Sequence, residues 1–166
     1  MATPATNQAV VERAERLRAE HRGAQRKSES LALVTFRLGG DLYALPATQV
    51  TGVIARQPIV PIPSTPAHLL GVTHFRGEIL PVFDLKVLLG LAQEPGAPAY
   101  FLIARPGVDT AALGCDSCPD IVHVLADDVK TARPATASPL DRYLQGHAIV
   151  REGVINVLDA DKVLQC

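Results

Sequence analysis

The sequence predicts an all-β protein: two small barrels packed together, preceded by a helical N-terminal extension. Three observations lead there. The 166 residues include 13 prolines and 12 glycines, too many breaks for a helix bundle and suited to short elements joined by turns. From residue 31 onward the apolar runs alternate with the period of a strand. The chain also repeats itself. Shifted by 68, residues 33–54 fall on 101–122, so that Gly39 meets Gly107, Asp41 meets Asp109, Ala44-Leu45 meets Ala112-Leu113 and Val53-Ile54 meets Ile121-Val122. Shifted by 75, residues 69–89 fall on 144–164 and bring Leu69, Gly71, Arg76, Val82, Asp84 and Leu89 onto Leu144, Gly146, Arg151, Val157, Asp159 and Leu164. This implies two similar units of about five short strands each. Units so small hide both faces of a sheet only by curling it into a barrel, which also removes open edges. Apolar surface between two such barrels adds burial that neither has alone.

Taken in order, residues 1–30 carry six basic and four acidic side chains and read as a helix. Val10, Ala14, Leu17 and His21 recur at helical spacing, and Glu12 pairs with Arg16 one turn on. The apolar stripe is thin, so this helix is stable only when docked on the body or a partner; the plain alternative is a solvated tail. In LALVTFRL, Val34, Phe36 and Leu38 face one way and Thr35 and Arg37 the other. Gly39-Gly40-Asp41 and the LYAL run at 42–45 complete a hairpin. The prolines of residues 58–66 exclude a helix or a central strand there, and the neighbouring Ile and Val favour packing on the body over display of a PxxP ligand. A strand at 79–85 leads into a short helical turn at 86–91, and residues 92–98 form a loop. The second series runs through YFLIA at 100–104, the Pro106-Gly107 turn, AALGC, DIVHVL at 120–125, a loop at 131–139, and strands around 148–150 and 154–159.

Composition removes several classes of function. With 48% apolar and 20% charged residues the chain is a folded one. Sixteen basic against seventeen acidic side chains give a net charge of −1, which leaves no footprint for nucleic acid or anionic lipid. Aromatics are 4% and Trp is absent, so Val, Ile, Leu and Ala build the core. No apolar run is long enough for membrane insertion, and the first 30 residues lack a secretory centre. Three cysteines, an odd number, fit a reducing compartment without a disulfide framework, so a cytoplasmic location is expected.

Candidate chemistry is sparse. Cys115-Asp116-Ser117-Cys118 is a CxxC, but zinc would need further ligands such as His123 with Cys166 or His147. In an extended segment the two sulfurs face opposite ways. Under the repeat they fall on Ala47 and Val50, so a packing role is favoured. The histidines show no metal spacing. Asp84 and Asp159 each end a strand and are read as caps for the next turn, with a catalytic pair as the alternative. No phosphate loop, GxSxG or GxGxxG is present. There remains Gly71-Val72-Thr73-His74-Phe75-Arg76-Gly77, which places an Arg at an exposed corner between two strands, suited to bonding a partner's carboxylates or carbonyls. Arg151 stands at the same place in the second copy, but Glu152 replaces the glycine.

The runs FRLGGDLYALPATQV, PIPSTPAHLLGVTHFRGEILPVFDL, GCDSCPDIV and YLQGHAIVREGVINVLDADKVL together resemble, in order and spacing, the CheW-like domain, over about residues 31–165. The resemblance implies one CheW-like domain over 31–166, made of two SH3-like five-stranded barrels. It also implies a non-enzymatic adaptor that couples methyl-accepting chemoreceptors to the regulatory domain of a CheA-type histidine kinase, with no cofactor. That kinase domain is itself CheW-like, so barrel-to-barrel pairing with it or with other CheW-like proteins is implied, as is docking of receptor helical hairpins near the inter-barrel groove. The adaptor would act at the inner face of the membrane without inserting. The family's Asn-x-Arg-Gly falls on His74-Phe75-Arg76-Gly77, with His in place of Asn, and its Val-Asp-x-Val on Cys115-Asp116-Ser117-Cys118. Arg76 and Gly77 are then the expected partner-binding turn. Val50, Val53, Ile54, Val72 and Phe75 are the expected apolar lining. The same fold would also serve a type IV pilus or surface-motility pathway, and a CxxC metal or thiol protein is the remote alternative.

Overall fold

A computed structural model describes residue 13 and residues 29–91, 97–131 and 138–165. The expected N-terminal helix lies outside these residues except for Arg13, which is helical and exposed. Eleven strands and two short helices follow in order: β1 (Ser30–Leu38), β2 (Asp41–Pro46), β3 (Val50–Ala55), β4 (Leu69–Phe75), β5 (Glu78–Asp84), α1 (Leu85–Leu88), β6 (Tyr100–Ala104), β7 (Ala111–Cys115), β8 (Asp120–Leu125), β9 (Val129–Thr131), β10 (Leu144–Val150), β11 (Gly153–Leu158) and α2 (Ala160–Leu164). They form two sheets, ordered β8-β1-β2-β11-β10-β9 and β3-β6-β7-β5-β4.

The sheets obey the repeat but do not coincide with its two halves. Each barrel takes a hairpin from one copy and the remaining strands from the other, so β1–β2 sit with β8–β11 and β6–β7 sit with β3–β5. Position by position the two sheets correspond, including the parallel pairs β2–β11 and β7–β5. The first sheet has a sixth strand, β9, just ahead of the expected loop. Its counterpart in the second is a single bridge, Val60 to Val72, because the prolines around Val60 cannot extend a ladder.

The exchange follows from which faces must be buried. Val34, Phe36, Leu38, Tyr43 and Leu45 from the first hairpin pack with Leu102, Ala104, Leu113 and Cys115 from the second and with Leu85, Leu88, Ala160 and Val163 from the helices, forming one central core between the barrels. The opposite faces of the same hairpins fill the two barrel interiors. Leu33 and Ala44 join Ile155 and Val157 in the first, while Phe101, Ile103 and Ala112 join Leu80 and Val82 in the second. Thr35 is therefore also buried, inside a barrel and away from solvent.

Paired residues carry equivalent roles. The Asp84 carboxylate accepts N–H bonds from Lys86 and Val87 at the start of α1, and Asp159 accepts those of Asp161 and Lys162 at the start of α2, which is capping, as the repeat suggested. Gly71 and Gly146 each lie against a backbone carbonyl of the neighbouring segment, that of Val60 and that of Lys130, leaving no room for a Cβ. The Pro-rich segment does not pack as expected throughout: Ile59 lies against the second core, but Val60 and Ile62 are exposed.

Candidate functional site

Each crossing between barrels leaves a short connection at the surface, and the two connections lie side by side. Pro46–Val50 carries the chain from β2 to β3 through a 3-10 turn at Ala47–Gln49, and residues 116–119 carry it from β7 to β8. Between them opens a furrow of about 310 Å³, lined by Val34, Ala47, Val50, Val53, Pro119 and Ile121 among others. Its walls are the edge strands β3 and β8. Val53 pairs with Leu102 and Ile121 with Val34, so both continue the apolar face of the central core out to solvent. They remain 43% and 61% exposed.

The expected lining residues divide. Val50 and Val53 lie in the furrow. Ile54 does not: one residue along a strand reverses the face, and its side chain packs into the second barrel. Val72 and His74 line a separate depression of about 380 Å³ on the outer face of β4, with Pro58, Val60 and Ile79. Phe75 belongs to the second barrel: its ring leans on that core, and its edge abuts the inner face of β3 at Gly52, where an added Cβ would lie 3.2 Å from Cζ.

Arg76 and Gly77 are the two central residues of the β4–β5 hairpin, between the pair Phe75 and Glu78. Their φ angles are +48° and +86°, the backbone of a type I′ turn, which matches strand twist and normally takes Asn-Gly or Gly-Gly. The equivalent turn at Arg151-Glu152 has positive φ only at the following Gly153, so the two arginines project from different backbones. The Arg76 guanidinium lies 5.0 Å from the centroid of the Phe75 ring, a cation–π contact. Glu78, its nearest acidic neighbour in sequence, is paired with Arg105 at 3.3 Å. Among the described residues Arg76 has no ion pair, and its donors are free for a partner.

A residue that braces the connection beside the site lies inside the CxxC. Asp116 accepts the Gly39 N–H at 2.9 Å with one oxygen and holds the buried Lys86 ammonium at 2.9 Å with the other. Its own N–H donates to Arg37, whose N–H in turn donates to the Ser117 hydroxyl. The connection, whose last residue Pro119 lines the furrow, is thus tied to the β1–β2 turn of one barrel and to α1 beside the other. The cysteines flanking it are unlike each other. Cys115 is buried and Cys118 exposed, both as free thiols. Burial, then Asp116, then Cys118 push the Cys115 thiol up to about 12, which makes it a poor nucleophile and ligand. His147 Nδ1 lies 3.0 Å from the Asn156 side-chain oxygen, and Cys166 lies outside the described residues. Among the described residues no three His, Cys, Asp or Glu side chains gather as a metal site.

Sequence reading missed Ile121, Gly52 and Asp116. The signal for Ile121 was present, since the repeat places it on Val53.

A family described as CheW-like domain matches residues 32–166. A probable chemotaxis protein CheW of Rhizobium etli is 30% identical over 131 residues, covering 78% of this chain and 84% of that protein. Protein FrzA of Myxococcus xanthus is 29% identical over 133 residues, covering 78% and 82%. Among solved structures, the scaffolding protein TtCheW of Thermoanaerobacter tengcongensis superposes with a TM-score of 0.71 at 24% identity, covering 78% of this chain and 88% of that one.

Proposed function

Because the chain belongs to the CheW-like domain family, we propose that it is a non-catalytic adaptor coupling methyl-accepting chemoreceptors to the regulatory domain of a CheA-type histidine kinase. The observation that carries this reading is the furrow, whose two edge strands present Val53 and Ile121 to solvent, together with an Arg76 at the β4–β5 turn, held over Phe75 without an ion pair among the described residues. Such a surface fits an amphipathic helix, whose apolar stripe fills the furrow while a cation orients its polar flank. Nothing in this mechanism is consumed. The adaptor changes the population of kinase states through contacts that differ between them. No helix among the described residues is long and apolar enough to cross a membrane, so attachment to a membrane array would be through the receptor.

The test is capture of a receptor-tip hairpin and of the kinase regulatory domain by full-length protein and by Arg76→Ala. Loss of either by about tenfold or more, with an unchanged thermal midpoint, supports the reading; full retention of both removes Arg76 from the site. A second reading is an adaptor of a pilus or surface-motility pathway. His74 in place of the family's Asn favours it. The receptor recovered with the protein from its native cell distinguishes the two.

A further inference from the structure

Two arginines and a carboxylate gather at the β4–β5 turn. Phe75 and Glu78 stand directly opposite each other in the ladder, so their side chains leave the same face with Cβ atoms about 4.5–5.5 Å apart. The Arg76 guanidinium lies over that same Phe75 ring. Glu78 therefore stands beside the ring that carries the guanidinium, and its rotamer decides whether the two charges meet.

The carboxylate is turned the other way. Its Oε2 accepts from Arg105 Nη2 at 3.3 Å, and Arg105 is held from two further directions. Its Nε donates to the Thr110 hydroxyl at 2.6 Å across the β6–β7 turn. Its backbone N–H donates to the Gln49 carbonyl at 2.7 Å, in the connection that leads to Val50 at the furrow. A guanidinium already fixed at one nitrogen loses little further freedom when a second partner joins its fork, which favours Arg105 over Arg76 in the contest for Glu78. Arg76, Glu78 and Arg105 are all exposed, so the Arg105–Glu78 pair adds little to stability. What it sets is the direction of the carboxylate.

We propose that Arg105 is a positioning residue of the partner-binding site: by holding Glu78 it keeps that carboxylate off Arg76, whose guanidinium stays open to a carboxylate or carbonyl of the partner. Without the Arg105 side chain, Glu78 turns to Arg76 and a partner must displace it. The effect on binding rests on the function proposed above; the exchange of partners inside the chain does not.

Calorimetric titration of the full-length protein with a receptor-tip hairpin tests this in wild type, in Arg105→Ala and in Arg105→Ala combined with Glu78→Gln. Arg105→Ala keeps the backbone bond to Gln49. Affinity is expected to fall about two- to fivefold in Arg105→Ala, the size of an exposed ion pair that must be broken, and to recover in the double variant. Because Glu78→Gln restores no contact to position 105, a merely structural role for Arg105 would not be rescued. Wild-type affinity in Arg105→Ala overturns the proposal, and so does an equal loss in the single and double variants. The Arg76 Nε–Hε resonance gives a readout that needs no partner. It is expected to shift and to exchange more slowly with water in Arg105→Ala, and to return to its wild-type position in the double variant; a resonance identical in all three forms contradicts the proposal. If the hairpin binds none of the three, the adaptor reading fails, while the Arg76 resonance still decides whether Arg105 keeps Glu78 away.

Discussion

Arg76 occupies a left-handed backbone conformation that costs a residue bearing a Cβ roughly 1–2 kcal/mol relative to glycine. A side chain kept in such a place serves something other than stability. Arg76→Gly is accordingly expected to leave the thermal midpoint unchanged or raised, while binding of receptor hairpin or kinase domain falls; scanning calorimetry beside a titration separates the two effects. Asp116 gives the opposite result. Asp116→Ala leaves the buried Lys86 ammonium without its partner and is expected to cost about 2–3 kcal/mol, toward the low end for a broken buried pair because Asp116 is partly exposed. Lys86→Met, which removes the buried charge itself, is expected to cost less; urea midpoints compare them. Cys115 sets an alkaline limit. Its thiol titrates near 12 in the fold against 9.0 ordinarily, so the folded state holds the proton more tightly. The resulting stability is whole below pH 9 and is lost as pH rises toward 12. Tyr43, also raised by burial and then by Asp41, acts in the same direction above pH 10. Cys115→Ala should flatten the fall in urea midpoint between pH 9 and 11 relative to wild type.

At the scale of elements, apolar runs bounded by turns placed most of the strands but left β3 and β9 unread, and Asp84 and Asp159 were legible as caps because each ends an apolar run. Strand partners were not legible. Local pattern marks which face of β1 or β6 is apolar, but both faces of these hairpins are buried, one in a barrel and one in the central core, and alternation cannot tell those apart. The same limit explains Ile54: Val53 and Ile54 are both aliphatic, and only the pairing of Val53 with Leu102 reveals which of them meets the furrow. The glycines carry sharper information. Gly71 and Gly146 coincide in the repeat, and at both a Cβ would strike a backbone carbonyl. Gly71→Ala and Gly146→Ala should each lower the urea midpoint by an amount worth ~1–3 kcal/mol, the former more because Gly71 also has φ +140°. Equal stability to wild type would mean that these neighbouring segments shift freely.

For the whole molecule, exchanged hairpins and a shared central core make the barrels inseparable in folding. One calorimetric transition is expected, with calorimetric and van't Hoff enthalpies equal; two resolved transitions would mean that the central core binds the barrels only loosely. The same arrangement makes the furrow. Because the chain crosses twice between barrels, two connections and two edge strands meet at one cleft, and its apolar walls are the outermost part of a core that stops short of the surface. The measurement that addresses this most directly is a backbone-amide NMR titration of the full-length protein with a receptor-tip helical hairpin. Shifts concentrated at Val50–Val53, Phe75–Gly77 and Pro119–Ile121 are the predicted result. Shifts confined to other faces, with those residues unmoved at saturation, would contradict the assignment of the inter-barrel furrow as the place where this protein meets its partner.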